Sequence, residues 1–210
     1  SSALKTLAVN LSKMSNDLRL MASGPKAGFA EINLPERQPG SSIMPGKVNP
    51  VIAEVTNQVC FNVFGNDLTI LKAAEAGQLE LNVFEPVIFY KLFDSMDTLT
   101  NALKTLRVNA IDGITANAEH CNEQVENSIG FITAVAPHIG YANASKIAQQ
   151  ALTEGRKLKD VLIESNLISE KELNVILSSK QITRPGISGK HLLLKKRKKM
   201  EEEHANDSEK

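Results

Sequence analysis

Residues 40 to 50 read Gly-Ser-Ser-Ile-Met-Pro-Gly-Lys-Val-Asn-Pro. Glycine at 40 and 46 admits backbone conformations closed to other residues, while proline at 45 and 50 fixes φ and removes a donor. The stretch is therefore a shaped loop carrying the hydroxyls of Ser41 and Ser42, the ammonium of Lys47, the amide of Asn49 and several free backbone N–H groups. A helical pattern follows at once, with Asn49 suited to the N-cap and Pro50 to the first helical position. Positive helix dipole and unpaired N–H groups then stand beside Lys47, a combination that binds anions and stabilises developing negative charge. Glu54, in the first two turns, is a carboxylate favoured near a helix N-terminus. A Walker-type phosphate loop is excluded: five residues separate Gly40 from Gly46, and Val48 rather than Ser or Thr follows the lysine.

What must position this loop is read from periodicity. Leu4, Leu7, Leu11, Met14, Leu18 and Met21 step by three and four, the seam of a bundled helix that ends at Gly24-Pro25. Residues 24 to 40 predict a turn with at most a short extended segment. A second helix is expected from Pro50 to about Lys72, striped by Ile52, Val55, Val59 and Val63. After a break at Ala73 to Gln78, a third is expected from Glu80 to Val108, on the spacing of Phe84, Ile88, Leu92, Met96, Leu99, Leu103 and Leu106. Pro86 either bends that helix or defines its first turn. Three long amphipathic helices cannot bury their stripes alone; together, and with copies from other subunits, they can.

Beyond Gly113 the elements shorten. Asn117 is placed to cap a helix from Glu119 to Asn127, an apolar run continues through Val135, and Pro137-His138-Ile139-Gly140 reads as a turn in which His138 is structural. Helices are expected at 143 to 154, ended by Gly155, and at Leu158 to Glu164. Ser169-Glu170-Lys171-Glu172 is a capping box opening a helix to Leu177. Lys195 to Lys199 is basic and Glu201 to Glu203 acidic, so the end reads as a charged, disordered tail. The expected organisation is all-α: residues 1–112 in a long-helix bundle, 113–187 in a small helical C-terminal domain, and 188–210 in the tail.

Composition removes several function classes. Lys plus Arg and Asp plus Glu both number 24, so no global field argues for nucleic acid or membrane. Aromatics are only 4% and Trp is absent, which disfavours a stacking platform for single strands. No run is long and apolar enough to cross a bilayer, and no signal-peptide pattern opens the chain. Cys60 and Cys121 have no metal spacing and read as two buried thiols of a reducing compartment.

The stretch 40–50 resembles the signature loop of the aspartase/fumarase superfamily, whose members eliminate a group from a succinyl-type substrate to release fumarate. Ser23-Gly24-Pro25-Lys26-Ala27-Gly28, Glu31-Ile32-Asn33-Leu34-Pro35, Glu80-Leu81-Asn82-Val83-Phe84 and Pro137-His138-Ile139-Gly140-Tyr141 are similar to the same family, and the resemblance runs from about residue 3 to 185. Val51 to Val55 and Ala73 to Leu79 look like its aspartate ammonia-lyase branch, whereas class II fumarases usually carry Thr-Gln-Cys-Glu after the loop. The resemblance implies the central bundle domain of that fold plus its small C-terminal domain. It assigns Ser41 as the base, Ser42 and Lys47 to the substrate, Asn49 to orienting it, and Glu54 to orienting a His from another segment. It implies a dicarboxylate substrate (L-aspartate or fumarate), no metal and no cofactor, a cytoplasmic homotetramer whose active sites are shared between subunits, and an N-terminal half beyond this chain. Fumarase, or a non-catalytic scaffold of the superfamily, are the other readings.

Overall fold

The computed structural model describes residues 1–38, 40 and 48–195. Ser41, Ser42 and Lys47, and the tail from residue 196, lie outside the described residues. The chain forms two compact units, which divide between His120 and Cys121.

The first unit holds α1 (Ser2–Met21), β1 (Ile32–Asn33), α2 (Val51–Glu75), α3 (Glu85–Asn109) and β2 (Thr115–Ala116), with α4 (Ala118–Asn127) beginning at its end. α1 and α3 pack against α2. The α1 seam is only half as expected. Leu4, Leu11 and Leu18 face the core, but Ala8 and Ser15 complete the inward stripe, both fully buried, while Leu7 and Met14 are 41% and 50% exposed. The stepping of three and four fits two stripes that share Leu4, Leu11 and Leu18, and the small residues occupy the inner one. Their size lets α2 approach closely: the Asn57 side-chain amide donates to the Ser12 carbonyl and hydroxyl at 3.1 and 3.0 Å.

α2 keeps most of its expected stripe: Val63 is buried, and Ile52 and Val59 pack against the core. Its buried face carries Ala53, Thr56, Asn57, Cys60, Val63, Asn66 and Asp67, whereas Val55, expected in the core, is exposed with Phe61, Leu68 and Leu71. Thr56 is satisfied within α2, on the Ile52 carbonyl at 2.8 Å, and the others reach across helices. Asn66 donates to Asp94 at 2.8 Å and to Ser95 at 3.1 Å, and Lys5 pairs with Asp67 at 2.5 Å. On α3 the inward face is Ser95, Leu99, Ala102 and Leu106; Phe84, Met96 and Leu103 are exposed. This helix starts at Glu85, five residues later than expected, because Pro86 at the first turn sets its beginning. α2 correspondingly runs on to Glu75. The corner between them is tied by Asn82, which donates to the Ala73 carbonyl at 3.0 Å and accepts from the Phe84 N–H at 2.8 Å.

The extended piece before the loop is β1, antiparallel to β2, with Ile32 opposite Ala116 and Asn33 opposite Thr115. This pairing moves the expected boundary at Gly113: residues 113 to 120 belong with the first unit because their hydrogen bonds go there. The Asn117 amide donates to the Ala30 carbonyl at 2.7 Å, and Asn33 donates to Asn117 Oδ1 at 2.7 Å.

The second unit contains α5 (Ile132–Ile139), α6 (Tyr141–Glu154), α7 (Leu158–Glu164), α8 (Glu170–Ile176) and α9 (Ser179–Ile182). Its core joins Val135, Ile147, Ala151, Leu158, Leu162, Leu173 and Ile176. Gly155, at φ +62°, closes α6, a conformation that favours glycine. The Ser169–Glu172 capping box is formed in both directions. Two expectations fail here. Pro137 and His138 are not a turn but the last turn of α5, and Gly140 at φ +82° makes the turn. Residues 188 to 192 are not a free tail: Ser188 is buried with its hydroxyl on the Ile176 carbonyl, its carbonyl meets His138 Nε2 at 2.8 Å, and Leu192 packs on the core. Cys60 is buried as expected, and Cys121 is half-buried.

Candidate functional site

The stretch singled out in the sequence is fixed at both ends by the first unit. At its far end, α2 begins at Val51 with Pro50 as the cap residue and no side-chain cap bond. Asn49 therefore does not serve as the N-cap. Its amide turns back instead and donates to the Gly40 carbonyl at 2.6 Å, closing the base of the loop. The cap position falls one residue later, on Pro50, whose carbonyl accepts from the Glu54 N–H at 3.0 Å. Glu54 is half-buried in that first turn, where a carboxylate meets the positive end of the helix.

At the near end, Arg37 crosses to the end of α3. Its Nε donates to the Asn109 carbonyl at 2.8 Å and its Nη2 to the Val108 carbonyl at 3.3 Å. These carbonyls belong to the last turn, where partners are lacking within the helix and positive charge is favoured. Two residues earlier, the Pro35 ring lies so close to Gly113 that a Cβ there would stand 2.5 Å from Pro35 Cγ. Glycine at 113 is thus required by the approach of the strand that leads into the loop. Further back, Ser23 gathers the turn: its hydroxyl donates to the Leu20 carbonyl at 2.6 Å and accepts from the Phe29 N–H at 3.1 Å.

The structure thus brings Gly40, Asn49 and the start of α2, with Glu54, to one place. His138 lies in the second unit, bonded to the Ser188 carbonyl, which is a structural contact. Arg37 and Gly113 escaped the sequence reading. Arg37 sat in a segment read only as a turn, and a glycine after a helix has many ordinary explanations; the partner in each case is about 70 to 80 residues away in sequence. Among the described residues no three or more His, Cys, Asp or Glu side chains gather where a metal ion could be held.

Elsewhere, electrostatics are structural. Hydrogen bonds from Asn66 and Asn62 hold the Asp94 carboxyl below the usual carboxylate range, and those from Lys5 and Ser1 do the same for Asp67. Burial raises the Cys60 thiol, which keeps it protonated and unreactive. No helix among the described residues is long and apolar enough to cross a membrane.

Comparison with known proteins gives two family matches. Residues 1–65 match a family described as Lyase, and residues 131–184 one described as Fumarase C C-terminus. An aspartate ammonia-lyase from a Bacillus species is 56% identical over 190 residues, covering 90% of this chain and 41% of that protein. A fumarate lyase:delta crystallin from Brucella melitensis, solved bound to cobalt, superposes with a TM-score of 0.79 at 50% identity, over 87% of this chain and 39% of its own. A class II fumarase from Schistosoma mansoni gives a TM-score of 0.79 at 36% identity, over 88% and 38%. The chain spans about two-fifths of the length of the curated relatives it matches.

Proposed function

The chain belongs to the aspartase/fumarase superfamily, and from that premise we propose that it is the C-terminal part of an aspartate ammonia-lyase, converting L-aspartate to fumarate and ammonia. The supporting observation is identity of 56% to an aspartate ammonia-lyase across 90% of the chain, against 36% to a class II fumarase. A non-catalytic scaffold would not need Ser41, Ser42, Lys47 and Asn49 together in one loop, and all four are present.

The chemistry follows from the substrate. The proton removed lies on the methylene carbon beside a carboxylate, which is a poor acid. Its departure drives the electron pair into that carboxylate and makes an enediolate with two negative charges. Collapse of the enediolate expels the amine from the neighbouring carbon as ammonia. Most of the barrier is electrostatic, so donors fixed in advance toward the developing charge count most. Ser41 is the base; its alkoxide requires the local N–H groups and Lys47 to stabilise it. Ser42 hydrogen-bonds the substrate, Lys47 pairs with a carboxylate, and Asn49 holds the loop base closed while orienting the substrate. Glu54 orients a histidine supplied by another segment. No cofactor takes part. The remaining binding groups come from the N-terminal half and from neighbouring subunits of a cytoplasmic homotetramer.

The experiment is a pair of assays on the full-length enzyme: ammonia release from L-aspartate, and hydration of fumarate. The first is expected; hydration without ammonia release gives the chain to fumarase instead. Ser41→Ala is expected to retain assembly and lower turnover by about 10²- to 10⁴-fold. Undiminished turnover removes Ser41 as the base.

A further inference from the structure

Resting on that reading, we propose that Arg37 is a positioning residue for the reaction, holding the segment that leads to Gly40 to the end of α3. The guanidinium spans two carbonyls of one helix terminus, Asn109 at 2.8 Å and Val108 at 3.3 Å. A planar fork with two donors fixes direction as well as distance, which a single point charge does not. Only two residues separate Arg37 from Gly40, whose carbonyl accepts from Asn49 at 2.6 Å. Asn49 leads into α2, and α2 packs along α3. Gly40 and Asn49 are thereby both referred to the same helix pair. Among the described residues, the other contacts of the near end, the Pro35 contact at Gly113, the β1–β2 pairing and the Asn33–Asn117 hydrogen bond, all lie further from Gly40 in sequence.

A surface arginine that merely capped α3 would influence folding alone. A positioning residue influences binding and turnover together, because small misplacement of a reacting group is costly in rate. Arg37→Met keeps the stem and removes every donor; Arg37→Lys keeps the charge and a single donor nitrogen but not the planar fork. In the full-length enzyme Arg37→Met is expected to lower kcat about tenfold and raise KM for L-aspartate about threefold. Its Tm should stay within about 2 °C, and Arg37→Lys should fall between it and the parent. An unchanged KM, or a loss of kcat that only follows a loss of folded protein, overturns the proposal.

A second measurement is independent of activity. In the 210-residue chain, hydrogen exchange of amides within residues 38–50 should quicken about tenfold in Arg37→Met while the interior of α2 is unchanged. Equal exchange in parent and variant overturns the role of Arg37. If the full-length parent releases no ammonia from L-aspartate, the assigned reaction fails, and exchange still decides the anchor.

Discussion

Several polar side chains between the helices of the first unit act as directional locks. Asp94 is the clearest: Asn62 and Asn66 of α2 both donate to its Oδ2, at 3.0 and 2.8 Å, so its carboxylate form is the one that joins α3 to α2. Those two hydrogen bonds hold its pKa below the ordinary value, and Asp67 is lowered in the same direction by Lys5 and Ser1. A carboxyl whose folded pKa is depressed contributes stability that is fully present above its unfolded value, about 3.9, and that is lost as pH falls through the lower folded value. Unfolding free energy should therefore be flat in this respect near neutrality and decline below about pH 4. Asp94→Asn, which cannot titrate, should show a shallower decline in denaturant titrations between pH 3 and 6. An identical acid limb in parent and variant would show that Asp94 contributes nothing to it.

Legibility varied from element to element for a physical reason. Features closed within a few residues were readable. The Ser169–Glu172 box, the Gly155 stop and the span of α7 are local, and the structure has each of them. Features decided by a distant partner were not. Asn49 has the chemistry of an N-cap, yet Pro50 holds the cap position and the Asn49 amide N–H goes to the Gly40 carbonyl nine residues back. Pro137 looks like a turn, yet its helix continues to Ile139 because Gly140 supplies the turn. Seams were only partly legible for the same reason: Leu11, Leu18 and Val63 are inside as expected, but Ala8, Ser15, Thr56 and Asn57 share the inner face, while Leu7, Met14 and Val55 lie outside. The proposed loop chemistry rests on residue types alone, while the anchors on either side of it, Arg37 and Gly113, depend on contacts the sequence does not announce. The local features give a simple prediction. Ser169→Ala removes the hydroxyl that accepts from the Glu172 N–H and breaks the reciprocal box. It should lower the stability of the second unit by about 1 kcal/mol, measured by urea unfolding, whereas the first unit keeps its midpoint. A loss of several kcal/mol would mean that Ser169 supports more than α8.

At the scale of the whole molecule, what stands out is where the apolar surface lies. Phe61, Leu68 and Leu71 on α2, and Phe89, Tyr90, Phe93 and Met96 on α3, are all exposed, as are Leu7 and Met14 on α1. Two ring pairs, Phe61 with Phe64 and Phe89 with Phe93, stand partly on this surface. Scattered apolar residues need no explanation, but whole helical stripes left in water are characteristic of surfaces that another chain covers. Their arrangement agrees with the proposed homotetramer, in which the long helices of several copies share one core while polar locks fix the helices within each copy. The 210-residue chain alone should then self-associate, and sedimentation velocity at rising concentration should show species heavier than the 22.9 kDa monomer. Replacing Phe61, Leu68 and Phe93 together by lysine puts charge into the stripe and should return the chain to a monomer with its helical content retained. A parent chain that stays monomeric at all concentrations would contradict the shared core. Because the proposed active site also draws groups from the proposed N-terminal half and from neighbours, neither form of the 210-residue chain should release ammonia from L-aspartate, and measurable release by either would show that one chain carries a complete site.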